Sequence, residues 1–201
     1  MAKRLFDLLF SFFLICLFAP FFVLCAAAIK LSSPGPIFYL HPRIGLQGKN
    51  FNCLKFRTMY KDADAKLQPL LASNPALQSE WKTYFKLKND PRITPVGIFL
   101  RKTSLDELPQ ILNVLKGDMS VVGPRPLTQK EITHYVKERA STILSIRPGL
   151  TTFWITHGRN ALSLEKRIEL EEYYVTNRTF WLDCKLILQT AFLMIYSKGA
   201  Y

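Results

Sequence analysis

The sequence predicts an α/β fold, mostly helical with a few short strands, preceded by a membrane-inserted N-terminal helix. Three observations favour this class. An almost unbroken apolar run covers residues 5–29. Apolar residues recur at helical spacing through residues 128–146. Short extended runs at 37–39 and 51–56, bounded by turn residues, are typical of a small β-hairpin.

Composition limits the number of domains and the class of partner. A chain of 201 residues can bury one core, and a second full domain is not expected. Its 27 lysines and arginines exceed its 15 acids, which predicts an anionic partner. The apolar N-terminus and the lack of a nucleic-acid recognition motif favour a membrane over nucleic acid. The four cysteines lack metal-binding spacing and are interpreted as free thiols.

The apolar run at 5–29 has three interpretations. Asp7 and the length of the run disfavour a cleaved signal peptide. A straight helix of this length spans roughly 37 Å, enough to cross a bilayer. However, basic residues flank both ends of the run, and such flanks prefer the cytoplasm. A helix bent at Pro20 would enter one leaflet and return, so kinked spanning and re-entrant helices both remain open.

The turn cluster S-P-G-P at 33–36 ends the membrane segment. The predicted units are therefore a membrane-inserted helix, 1–32, and a catalytic domain with interfacial helices, 33–201. Within the second unit, helices are expected at 62–71 and 75–87, on either side of a break at residues 73–75.

The C-terminal part of the chain predicts two further helices. Residues 163–175 form a charged helical pattern. Residues 179–197 are strongly apolar but contain Asp183, Lys185 and Gln189, which makes them a poor spanning segment. This second helix is expected at the membrane surface or in the core.

Three basic residues are candidates for binding phosphate. Lys55 and Arg57 alternate in an extended segment, so they are expected on one face of it. They would hold a phosphate or lipid head group there, or else lie on a solvated strand edge. Arg101 lies just before an acidic pair, where it could neutralise a phosphate.

The acidic pair, Asp106 and Glu107, stands at the start of a short helical pattern. One structural interpretation is a capping box formed by Ser104 and Glu107. Another makes Asp106 the N-cap, with Pro109 in the first turn. Either arrangement would give the acids a purely structural role.

The pair also suits phosphate chemistry. A carboxylate can attack phosphorus and form an acyl phosphate, provided that cations cancel the charge repulsion. Because adjacent helical residues diverge by about 100°, Asp106 and Glu107 would divide the roles of nucleophile and of metal ligand or proton carrier. Arg125, between two prolines, suits a bidentate phosphate contact, although a surface arginine on a rigid connector fits equally.

Five motifs in this order resemble the bacterial sugar transferases, the monotopic phosphoglycosyl transferases that begin bacterial glycan assembly. The resemblance extends from about Lys3 to Ser197. The motifs are K-F-R-T-M at 55–59, S-L-D-E-L-P-Q at 104–110, G-D-M-S-V-V-G-P-R-P at 117–126, R-P-G-L-T at 147–151 and G-R-N at 158–160.

The resemblance implies a reaction and its residues. Phosphosugar would pass from a UDP-sugar to undecaprenyl phosphate, with release of UMP. Asp106 matches the family's covalent nucleophile and Glu107 its assisting glutamate, with Mg²⁺ required and both acids candidate metal ligands. Arg125 matches a phosphate-binding arginine. The candidate substrate-binding residues are completed by Arg101, Lys55, Arg57, Arg147 and Arg159.

The resemblance also implies a location. The helix would be re-entrant and broken at Pro20, with the catalytic domain on the cytoplasmic face of the bacterial inner membrane. Downstream glycosyltransferases would be further partners.

The chain departs from its relatives in places. Ala19 stands where some have a serine, and Thr152 where many have a glycine. The longer segment 67–92 resembles members that transfer hexose 1-phosphates, a hint toward galactose or glucose. A non-catalytic membrane-anchored scaffold is the alternative, but it would not need both Asp106 and Arg125.

Overall fold

The computed structural model describes residues 2–84, 87–157 and 162–196. Most of them are helical, with a few short strands, as the sequence predicts. In chain order the elements are α1 (Ala2–Ser32), β1 (Phe38–Ile44), β2 (Asn50–Phe56), α2 (Ala63–Ser73), α3 (Pro75–Tyr84), α4 (Pro95–Lys102), α5 (Gln110–Lys116), β3 (Ser120–Val122), α6 (Gln129–Glu131), α7 (Ala140–Ile143), β4 (Gly149–Thr151), α8 (Leu164–Asn177) and α9 (Phe180–Tyr196).

Helix α1 is long and apolar enough to cross a membrane by length and composition. Helical structure continues through Pro20, so a break there stays a prediction. Its buried residues, Asp7, Ser11, Cys25 and Ile29, fall on one stripe because they are spaced by whole helical turns. This stripe packs on α5, β3 and α4, while phenylalanines and leucines of the opposite face are exposed.

The charged start of α1 is anchored in the fold. Lys3 forms an ion pair with Asp183, at 2.5 Å. Arg4 donates to the carbonyls of Val114 and Leu115 in the last turn of α5, where a cation is favoured by the helix dipole. Because these charges have partners inside the folded chain, the start of α1 is fixed to α5 and α9.

Strands β1 and β2 form the predicted hairpin, and β1 is longer than expected. The strand extends through Pro42, which a two-stranded sheet tolerates because both of its strands are edges. Its outer end stacks Phe38 on Phe56, and Phe56 packs against Phe22 of α1. The hairpin is therefore fixed to the C-terminal half of α1.

The pairing of β3 with β4 was not predicted. These three-residue strands run parallel, with Ser120 opposite Gly149 and Val122 opposite Thr151. A side chain at Gly149 would collide with the backbone of Gly123, so the glycine permits this close approach. The pair lies against the main core, in which Val122, Tyr174 and Leu186 are fully buried.

Residues 128–146 do not form the single predicted helix. The segment is divided into α6, a π-helical turn at Ile132–Val136, a 3₁₀ turn at Lys137–Arg139, and α7. Lys137 has a φ of 47°, which interrupts the helical backbone. Val136 and Ile143 nevertheless pack with Ile168 of α8, so the apolar pattern identified core residues correctly.

The other predicted helices are present. Helices α2 and α3 are separated at Asn74, whose side chain accepts from the amide of Ala76. Helix α8 begins after Ser163, which caps it. Helix α9 contributes Leu186 to the core, whereas Trp181 is 80% exposed, and a position at the membrane surface stays a prediction. All four cysteines, which belong to the described residues, are free thiols.

Asp7 provides a test of how α1 is attached. Its buried carboxylate accepts from Ser120 Oγ and the Val121 amide, at 3.1 and 3.0 Å. We expect Asp7→Ala to destabilise the fold by about 1–3 kcal/mol, because buried donors lose their acceptor. Thermal unfolding in detergent measures the change. Asp7→Asn, which keeps an acceptor, should lose less, and the exposed Asp64→Ala should change stability little; equal losses would contradict the assignment.

Candidate active site

Asp106 and Glu107 lie on a 3₁₀ turn, Leu105–Glu107, between α4 and α5. Both capping interpretations are wrong. Within the described chain the Ser104 side chain makes no capping hydrogen bond, because Ser104 itself adopts a left-handed conformation with φ 58°. Pro109, and not Asp106, is the N-cap of α5. The tight turn advances about 120° per residue, so the two carboxylates diverge.

Glu107 is paired with a lysine from the hairpin. Lys55 Nζ lies 2.5 Å from Glu107 Oε1, and the glutamate side chain is 44% exposed. Burial by itself would raise the pKa of Glu107. The charge and hydrogen bond of Lys55, followed by the charges of Arg125 and Arg43, hold the pKa below its usual value. Glu107 is therefore anionic at neutral pH.

Asp106 has the opposite electrostatic environment. Burial, and then the negative charge of Glu107, raise the pKa of Asp106 to about 6, although Lys55 and Arg101 oppose the shift. Asp106 remains mostly ionised at neutral pH but binds protons more tightly than an ordinary aspartate. Adjacent acids whose pKa values are driven apart are typical of a catalytic pair with divided roles.

Cations line a pocket between the hairpin, the 3₁₀ turn Leu105–Glu107 and β4, and Glu107 but not Asp106 is among its lining residues. Arg43, Lys55 and Arg125 all line it together with Glu107. The remaining lining residues are Cys53, Gln110, Pro126, Gly149, Leu150, Thr152, Trp154 and Ile155. A pocket with clustered cations suits phosphate groups. A second groove is lined by Thr156 and by residues of α9 such as Leu188. It is largely apolar, and neither Asp106 nor Glu107 lines it.

The backbone of Arg125 is held by a buried glutamate. Prolines lack an amide N–H, so Arg125 carries the one backbone donor in Pro124-Arg125-Pro126. That amide donates to Glu171 Oε1, at 3.0 Å. The Arg125 residue itself is exposed, and its position depends on this anchor. Burial raises the pKa of Glu171 to about 8, despite the hydrogen bond and the charge of Arg125.

Sequence reasoning missed two residues of the site. Glu171 was one of several glutamates in a charged helix, and no local signal distinguished it. Arg43 is buried, lines the pocket and donates to Glu131 at 3.1 Å. Extending the first predicted strand through Pro42 would have placed Arg43 on the face that carries Lys55, because alternate and directly opposed residues share a face.

The structure brings some predicted phosphate-binding residues together and not others. Lys55, Arg101 and Arg125 gather around the acids, with Arg101 also donating to Thr58 at 2.9 Å. Arg57 is buried and donates to the carbonyls of Ser33 and Pro34 that follow α1. The phosphate-binding role of Arg57 stays a prediction, but these donors are engaged.

Two further candidates remain to be placed. Arg147 donates to the Gly117 carbonyl at 2.7 Å, after the last turn of α5, and does not line the pocket. Its phosphate-binding role also stays a prediction. Arg159 lies outside the described residues.

The acid pair fits one mode of Mg²⁺ binding. Among the described residues, no group of three or more histidine, cysteine, aspartate or glutamate side chains could form a protein-only cage. Mg²⁺ is commonly held by one or two carboxylates, with waters and substrate phosphates completing its shell. Asp106 and Glu107 supply that donor type, although Lys55 competes for Glu107.

Comparison with known proteins agrees with this chemistry. The family model described as "Bacterial sugar transferase" matches residues 1–197. The chain is 45% identical over 201 residues to the exopolysaccharide production protein ExoY of Rhizobium meliloti, covering 100% of this chain and 88% of the relative. It is 43% identical over 199 residues to the undecaprenyl-phosphate galactose phosphotransferase of Salmonella typhimurium, covering 99% and 41%.

A third relative acts on another sugar by name. The UDP-glucose:undecaprenyl-phosphate glucose-1-phosphate transferase of Escherichia coli is 34% identical over 206 residues, covering 99% of this chain and 41% of the relative.

The buried Glu171 predicts a pH-dependent stability. Its pKa is raised from 4.5 to about 8 on folding, so its stabilising contribution is complete below about pH 4.5 and is lost as the pH rises through 8. Glu171→Gln keeps an acceptor for Arg125 but cannot ionise. We therefore expect the variant to gain stability relative to wild type between about pH 5 and pH 8.

Thermal unfolding across this pH range measures the difference. Glu165→Gln, at an exposed position of the same helix, is the matched control. A Glu171→Gln difference that stays flat with pH, or falls, would contradict the protonated state of Glu171.

Proposed function

The chain belongs to the bacterial sugar transferase family, and we propose that this transferase moves a sugar 1-phosphate from a UDP-sugar to undecaprenyl phosphate, releasing UMP. The observation that carries the proposal is the acid pair, Asp106 and Glu107, with separated pKa values beside a pocket lined by cations. The names of its relatives support a first step of sugar-phosphate transfer in exopolysaccharide synthesis.

Asp106 is the proposed nucleophile. A carboxylate oxygen attacks the phosphorus that carries the sugar, the bond from that phosphorus to the UMP oxygen breaks, and UMP leaves with the electron pair. The product is an aspartyl-phosphosugar. The raised pKa supports this role, since a more basic carboxylate is a stronger nucleophile yet is still ionised at neutral pH.

Undecaprenyl phosphate completes the transfer. One of its phosphate oxygens attacks the same phosphorus, the bond to Asp106 breaks, and the carboxylate returns to its starting state. Two displacements at one phosphorus thus replace a single direct transfer. The product is undecaprenyl-diphosphate-sugar.

Basic residues offset the charge of the phosphates. Lys55 is held by Glu107, so its ammonium group is fixed next to the reacting carboxylate. The charge of Arg125 lowers the pKa of Glu107, and the charge of Arg101 lowers the pKa of Asp106. We assign Lys55, Arg101 and Arg125 to phosphate binding. When bound by Asp106 and Glu107, Mg²⁺ would supply further neutralisation of the diphosphate.

Membrane seating follows from the acceptor, whose lipid tail stays in the bilayer. We assign the catalytic domain to the cytoplasmic face of the inner membrane and α1 to a re-entrant, monotopic arrangement that bends at Pro20. Asp7 packs on β3, and Ile29 packs with Leu100 of α4, so both ends of α1 contact one domain. A helix crossing the bilayer would separate its ends by roughly 30 Å of hydrocarbon.

The proposed donor is UDP-galactose or UDP-glucose. Relatives that cover almost the whole chain are named for each sugar. A panel of UDP-sugars distinguishes between these hexoses.

The first test is UMP release in detergent with Mg²⁺ and undecaprenyl phosphate, across a panel of UDP-sugars. We expect release from one hexose, and a loss of at least about a thousandfold in Asp106→Asn, because an amide is a poor nucleophile. Asp64→Asn, an exposed acid on α2, is the matched control and should retain activity. Release that persists in Asp106→Asn would overturn the covalent role, and no release by folded wild type would overturn the transferase assignment.

The second test concerns the two ends of α1. Ala2→Cys and Lys30→Cys, both at exposed positions, are made separately in a background with every native cysteine replaced by alanine. An impermeant maleimide should label both in inverted inner-membrane vesicles and neither in intact spheroplasts. Labelling of the two positions from opposite sides would identify a spanning helix.

A further inference from the structure

One face of the hairpin forms a wall of the pocket. In the antiparallel register Tyr39 lies opposite Lys55 and His41 opposite Cys53. Directly opposed residues, and alternate residues of one strand, share a face of the sheet. Since Arg43, Cys53 and Lys55 line the pocket, His41 lies on the face that carries the pocket.

The contact with Arg43 fixes the tautomer of His41. Arg43 Nη2 lies 3.4 Å from His41 Nδ1. A guanidinium group has only donors, so Nδ1 must be the acceptor and carries no proton. In the neutral imidazole the proton is then on Nε2, which is available as a donor.

The surroundings keep this imidazole neutral. Burial, followed by the charges of Arg43, Lys55 and Arg125, lowers the pKa of His41 to about 4, with Glu131 opposing the shift. The half-buried ring also lies 5.5 Å from the ring of Tyr39. A neutral histidine offers a hydrogen bond to an anion without adding charge to an already cationic pocket.

The position of His41 indicates which phosphate it meets. Exposure increases along β1 toward its N-terminal end: Arg43 is buried, His41 is half-buried and Tyr39 is 47% exposed. The outer end of the hairpin packs against α1 through Phe56 and Phe22. Along the strand His41 is therefore nearer than Arg43 to the end of the hairpin that packs against α1, the side from which a lipid phosphate must approach.

We infer that His41 donates a hydrogen bond from Nε2 to the phosphate of the lipid acceptor and so positions it for the second displacement. This inference rests on the function proposed above. A phosphate of the nucleotide donor could accept the same hydrogen bond from His41. Separate measurement of the two half-reactions distinguishes the donor phosphate from the acceptor phosphate. Proton transfer is not required, because the attacking phosphate oxygen is already anionic.

The test uses full-length protein in detergent with the UDP-sugar that wild type accepts and with undecaprenyl phosphate. The burst of UMP in the absence of acceptor reports the first half-reaction, and KM for undecaprenyl phosphate reports the second. We expect His41→Leu to leave the burst unchanged and to raise this KM about tenfold, the loss of one hydrogen bond to a charged group. His41→Gln, which keeps a donor near Nε2, should restore KM to within about threefold. His134→Leu, at an exposed histidine, is the matched control.

The outcomes are distinct. No UMP burst from wild type overturns the proposed function, and this inference with it. A normal KM for undecaprenyl phosphate in His41→Leu overturns the inference alone. A weakened burst with an unchanged acceptor KM moves His41 to the nucleotide and overturns its assignment to the acceptor. If His41→Leu does not fold, His41→Asn, whose shorter amide cannot place a donor near Nε2, is measured in its place, with the same expected rise in KM.

Discussion

The Lys55–Glu107 ion pair is the contact on which the site depends. It joins the hairpin to the turn between α4 and α5, two segments separated by 52 residues. The pair keeps Glu107 anionic, and the charge of Glu107 in turn raises the pKa of its neighbour Asp106. One contact therefore fixes a cation beside the acids and makes two adjacent carboxylates chemically different. Burial is the largest cause of the raised pKa of Asp106, so burial and the ion pair act together in separating the two acids.

A second constraint positions Arg125. The close backbone approach of Gly123 and Gly149 joins β3 to β4, and Arg125 follows two residues later with its amide tied to Glu171. Two prolines stiffen the backbone around that amide. Hence the exposed Arg125 side chain, which lines the pocket, extends from a stiff segment of backbone. The charge of Arg125 also lowers the pKa of Glu107. The Lys55–Glu107 ion pair and the anchored Arg125 therefore act on the same acid.

Helix α1, the proposed membrane helix, is part of this arrangement. Its start is held by Lys3, Arg4 and Asp7, and the carbonyls at and beyond its end are held by Arg57. Arg57 directly follows β2, the strand that carries Lys55. Lys55 is thus only two residues from Arg57, which holds the end of α1. In the proposed function, this connection would hold the reaction on a lipid phosphate close to the bilayer.

The sequence by itself determined most of the helices and the hairpin. A continuous apolar run located α1, a charged helical pattern located α8 and turn residues located the hairpin, while motif spacing predicted Asp106, Glu107 and Arg125 as site residues. Tertiary structure decided the partners. Lys55 and Arg57 alternate in sequence, yet one pairs with Glu107 and the other with the end of α1. Glu171 and Arg43 became site residues through contacts 46 and 88 residues away along the chain. Propensity and periodicity depend on near neighbours, whereas burial and charge depend on whichever distant segment the fold brings into contact.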